Sequence, residues 1–65
     1  MFYIMGSGGY LCSTDALKMN QRKGAPAFMN ATALEYKTKD EAEAALATAL
    51  KNLGNVPNKL KVVEE

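Results

Sequence analysis

The strongest rhythm in the chain lies between residues 42 and 53, where Ala42, Ala45, Leu46, Ala49, Leu50 and Leu53 recur at helical spacing and form one apolar stripe. Thr38-Lys39-Asp40-Glu41, just ahead of it, has the form of a capping box: the threonine hydroxyl accepts from the Glu41 amide and the glutamate reaches back. The acids of this first turn also complement the helix dipole. Gly54-Asn55 supplies a left-handed stop, followed by Pro57. The pattern predicts a helix over about 39–53.

Elsewhere the rhythm is that of strands. "FYIM" and "YLCS" flank "GSGG" at the separation of a tight hairpin. "LEYKT" alternates, with Leu34 and Tyr36 on one side and Glu35 and Lys37 on the other, and "KLKVVEE" reads as a closing strand. Between Thr14 and Ala33, "NQRKGAP" reads as a loop, and "AFMN" as a short strand or an extended segment. The order β-β-(β)-β-α-β gives an α+β fold: a small antiparallel-rich sheet of three to four strands, with one helix packed on one face.

One helix covers one face of such a sheet. The strands, however, are apolar on both sides: Phe2 and Ile4 alternate with Tyr3 and Met5, Tyr10 and Cys12 oppose Leu11, and Val62 adjoins Val63. A lone two-layer chain is therefore expected to expose Tyr3, Met5, Tyr10 and one valine as an apolar patch of the kind that marks an association site. The length sharpens this expectation. Sixty-five residues make a single domain, and a chain of that size buries only about 60% of its unfolded surface. Small folds of this kind usually draw on disulfides, a metal or a partner. Cys12 is the only cysteine and there is no histidine, so an internal disulfide is excluded and the usual zinc ligand sets cannot be assembled. That leaves tight idealised packing or oligomerisation, and together with the apolar patch the small core argues for a homodimer or a bound partner.

A single thiol fits a reducing compartment. No basic residue precedes the apolar run Phe2–Met5, which breaks at Gly6. The expectation is a cytoplasmic protein with no membrane association. Net charge is +1, divided into +2 over residues 1–34 and −1 over residues 35–65. Nucleic-acid-binding domains carry a much stronger basic bias.

The candidate chemistry is sparse. Gly6-Ser7-Gly8-Gly9 lacks both the lysine and the following helix of a phosphate-binding loop, and reads as a hairpin turn. Lys18, Arg22 and Lys23 cluster with Asn20 and Gln21. A nucleotide or nucleic acid, if bound, would use this loop and the glycine turn, stacking on Tyr3 or Tyr10. Cys12 has no histidine to activate it, and Ser13, Thr14 and Asp15 cannot form a conventional triad without one. Asp40, Glu41 and Glu43 are explained by capping. On the outer helix face, Ala44 and Ala47 form a small-residue centre among Asp40, Glu43, Thr48 and Lys51, open to close approach by another chain.

An N-terminal glycine-centred hairpin followed by "ATALEYKTKDEAEAAL" and "LKVVEE" resembles a recurrent group of very small β-β-α-β proteins from bacteriophages and bacteria, mostly of unknown function. The resemblance is clearest at Ala33, Tyr36, Thr38, Glu41, Ala42 and Leu46, a strand-to-helix junction. It implies a context rather than an activity: binding and disabling a host factor, or sequestering a host signal. The reading from sequence is thus a non-enzymatic binding protein without cofactor or metal, of the kind a phage uses to block a host protein in takeover or anti-defence. Its candidate contact residues are Tyr3, Met5, Tyr10, Lys18, Arg22, Lys23, Ala44 and Ala47.

Overall fold

Thr38 starts the helix as its sequence requires. Its backbone is extended (φ −124°, ψ 155°) and its Oγ1 accepts from the Glu41 amide at 3.2 Å. In the computed structural model, which describes residues 1–23, 32–54 and 59–65, helix α1 runs Lys39–Leu53. It ends at Gly54, whose φ of 76° suits glycine and whose amide donates to the Leu50 carbonyl at 3.0 Å.

Four strands form one antiparallel sheet: β1 Phe2–Gly6, β2 Gly9–Leu11, β3 Met19–Asn20 and β4 Lys61–Glu64, in the order β3-β2-β1-β4. The fold is α+β. The hairpin closes with Gly6 opposite Gly9 and Met5 opposite Tyr10, which places Ile4 beside Leu11 on the face that carries the helix. Ile4, Leu11, Ala49 and Leu60 form the core, with Met19, Tyr36, Ala45, Leu46, Leu50 and Leu53 packed around it. The fully buried helix residues Ala42 and Ala49 are two turns apart, and their small side chains let α1 lie close to the sheet.

Three details depart from the sequence reading. "LEYKT" contributes a single bridge, in which Phe2 and Tyr36 exchange backbone bonds of 2.8 and 2.9 Å, while Leu34 N donates to Leu11 O. This segment takes over the β1 edge where β2 has left it. β3 falls at Met19–Asn20, partly inside the expected loop. "AFMN", Asn55 and Pro57 lie outside the described residues.

Gly9 shows why glycine is needed in the hairpin. Its φ is 115°, and a Cβ there would lie 2.7 Å from the Asn20 carbonyl oxygen. The bare backbone lets β3 come alongside β2. Gly9→Ala is expected to cost about 1–3 kcal/mol, the scale of a strained backbone position, with urea denaturation as the measurement. An unchanged midpoint would contradict this role.

Candidate functional site

The sheet face away from α1 is covered, not bare. Tyr3 was expected to face solvent, yet it is only 5% exposed. Met5, Tyr10 and Val63 are half-buried. The cause is a cluster of aromatic and charged groups. The Tyr3 and Tyr10 rings meet edge-on at 5.5 Å, and Lys23 Nζ stands 5.7 Å from the Tyr3 ring centroid. Tyr3 donates its hydroxyl proton to Glu35 Oε2 at 3.1 Å, Tyr10 donates to Glu65 Oε2, and Lys23 Nζ lies 3.0 Å from Glu65 Oε1. Among the described residues, large exposed apolar side chains are confined to Met1 and Leu17.

The electrostatics follow from these contacts. Burial, then the Glu35 hydrogen bond, pushes the Tyr3 phenol above its ordinary pKa. The Tyr10 phenol is raised by its hydrogen bond to Glu65, then by burial. The Glu65 carboxyl is held below the ordinary carboxylate range by Tyr10 and then by Lys23. Lys23 is thereby paired with a carboxylate and Tyr3 is buried, so among the described residues these two do not form the open aromatic beside an unpaired cation that single strands use.

The other sequence candidates are dispersed. Lys18 is exposed; its backbone carbonyl accepts from the Cys12 amide at 2.7 Å. Arg22 is exposed, and its amide donates to Asn20 Oδ1 at 2.9 Å. β2, rather than a helix, follows the glycine turn. The Cys12 thiol is half-buried, and burial raises its pKa, which leaves it less reactive at neutral pH. Among the described residues, no group of three or more metal-ligating side chains comes together. No described helix is long and apolar enough to cross a membrane.

On the helix side, a groove of about 510 Å³ opens between α1 and β4. Leu46, Leu50, Leu60 and Val62 give it an apolar lining, Ala47 lies on its helix wall, and Lys39, Glu43 and Lys61 also line it. Ala47 is the sequence candidate found here; Ala44 is exposed and not among the lining residues. Sequence reasoning missed Glu35, Glu65, Leu60 and Val62. The first two matter as acceptors for tyrosine hydroxyls 32 and 55 residues away in sequence, a relation that no local spacing announces. Comparison with protein-family models, with curated proteins and with solved structures finds no match to this chain.

The cluster makes stability depend on pH. A lowered Glu65 pKa means a contribution that is present above the ordinary carboxylate value of 4.5 and lost as pH falls through the lowered value. The raised tyrosine values mean a contribution present below 10.0 and lost as pH rises through them. Glu65→Gln is expected to be less stable than the parent at neutral pH, with the gap closing on acidification below 4.5. Paired urea titrations measure it, and a gap that stays constant with pH contradicts the assignment.

Proposed function

We propose that this chain is a small non-enzymatic binding protein that occupies and blocks a segment of another protein, received in the groove between α1 and β4. The observation that carries the reading is that groove, about 510 Å³ in volume and lined by Leu46, Leu50, Leu60 and Val62. Its wall at Ala47 is low, so a partner's backbone can approach the helix closely. An extended segment with apolar side chains at alternate positions fits this shape, the alternate residues entering the groove and the others facing solvent. The paired state of Lys23 and the cover over Tyr3 favour this surface over the Lys18–Lys23 loop as the contact region.

In its specific form, the reading is an inhibitor acting as a homodimer in a host cytoplasm, encoded by a phage and directed at a host protein. The resemblance of the strand-to-helix junction to small phage and bacterial proteins supports that context, and the small core supports a dimer.

A random library of short peptides displayed on phage and selected on the purified protein tests the reading. Enrichment of sequences with alternating apolar residues is expected. Ala47→Arg, at an exposed helix position where arginine is well tolerated, is expected to weaken the selected peptides by tenfold or more. No enrichment, or peptides indifferent to Ala47→Arg, would contradict it.

A further inference from the structure

β4 is an edge strand, and the direction of its outer polar groups follows from bonds elsewhere in the sheet. Phe2 directs both its N–H and its C=O to Tyr36. In the antiparallel register Phe2 lies opposite Glu64, so that pair shares no ladder bonds and the Glu64 N–H and C=O point outward. Glu65 fixes the alternation: its amide donates to Met1 O, and Met1 N donates to Glu65 O, both at 3.0 Å. Val63 therefore bonds inward to Tyr3, while Val62, like Glu64, points its backbone away from the sheet. Among the described residues, no strand pairs with this edge. Such a row of open donors and acceptors is a template for another strand.

We infer that the strand it takes is β4 of a second copy of this chain, running antiparallel about a two-fold axis at Val63. This deepens the proposed function and rests on its dimeric part. In this register Val62 faces Glu64 of the second copy, so all the outward N–H and C=O groups of Val62 and Glu64 are bonded. Val63 meets its symmetry mate in a position without ladder bonds, where side chains are closest and β-branched pairs contribute most. Lys61 comes opposite Glu65. Charged residues on an edge strand commonly prevent pairing, but here the signs complement one another. Lys61 has no ion pair among the described residues. The Glu65 carboxylate uses one oxygen for Tyr10 and the other for Lys23, leaving lone-pair positions for a third donor. Sliding the axis to Val62 would set Lys61 against Val63 and lose both ion pairs. One feature opposes the dimer: the two Glu64 side chains sit on a diagonal, about 7–8 Å apart.

The axis stands perpendicular to the sheet, so both helices lie on the same side. Each α1–β4 groove then faces the other across the paired β4 strands, and two half-open grooves become one cleft walled by two helices. The second copy thus completes the binding surface.

Light scattering of the full chain and of three variants over a dilution series tests the interface, together with two cysteine variants read by oxidation. The parent is expected to be a reversible dimer. Lys61→Glu should weaken it about tenfold, the size of reversing two exposed ion pairs. Glu64→Gln should tighten it severalfold by removing the diagonal repulsion. Glu64→Pro removes an outward N–H that the monomer does not use, so the chain should stay folded by circular dichroism and become monomeric. In a Cys12→Ala background, Val63→Cys should oxidise to a linked dimer, since facing Cα atoms about 4.5 Å apart suit a disulfide. Glu64→Cys in that background should not.

A parent that is monomeric at the highest attainable concentration overturns the inference, and leaves the edge to a foreign strand. A dimer that survives Glu64→Pro overturns the interface. Either result can be told apart from failure of the groove reading, because the peptide selection and Ala47→Arg leave the outer backbone of β4 intact.

Discussion

A four-stranded sheet has two faces, and among the described residues one helix covers one of them. Everything distinctive in the structure answers that constraint. On one side α1 lies close to the strands because Ala42 and Ala49 are small, and Ile4, Leu11 and Leu60 complete a core beneath it. On the other side, among the described residues, side chains from separate segments close the face. Tyr3 and Tyr10 supply apolar area, and their hydroxyls meet Glu35 and Glu65. Lys23 returns from the loop after β3 to pair with Glu65 above the Tyr3 ring. A buried tyrosine needs its O–H bonded, so each ring brings a carboxylate with it, and each carboxylate removes some of the face's capacity to hold an anion.

That closure bears on where the proposed partner would bind. An association site was expected on the helix-free face, from strands apolar on both sides. With that face occupied by its own side chains, the open features move to the β4 side of the molecule: the groove against α1 and the outer backbone of β4 itself. The two are adjacent, because Leu60 and Val62 line the groove while Val62 and Glu64 carry the outward polar groups. The proposed binding in the groove and the proposed pairing at the edge would therefore use neighbouring atoms without competing for them. A paired strand would lie in the plane of the sheet, and a segment in the groove would lie above it.

The legible parts of the fold were those written in local chemistry. The helix from Lys39 to Leu53 follows from the Thr38 cap, the apolar stripe and Gly54, all within one stretch of chain. The hairpin follows from glycines between two apolar runs, and β4 from a run of valines. β3 was not legible because Met19–Asn20 is a strand only by virtue of lying beside β2, where Gly9 offers bare backbone. "LEYKT" has the alternation of a strand but meets β1 only past the end of β2, so its pairing is reduced to one bridge. The burial of Tyr3 depends on Glu35 and Lys23, distant in sequence and ordinary in type. Of the candidate contact residues, Tyr3, Tyr10 and Lys23 do come together, with Met5 on the same face, but as a self-contained cluster rather than as an open surface.

As proposed, the outer backbone of β4 is a pairing edge for a second copy. Amide hydrogen exchange by NMR at two protein concentrations reads it residue by residue. The Val63 amide, bonded inward to β1, should be protected at both. The Val62 and Glu64 amides should exchange freely when dilute and become protected when concentrated. Fast exchange of Val62 and Glu64 at every concentration, beside a protected Val63, would contradict the account.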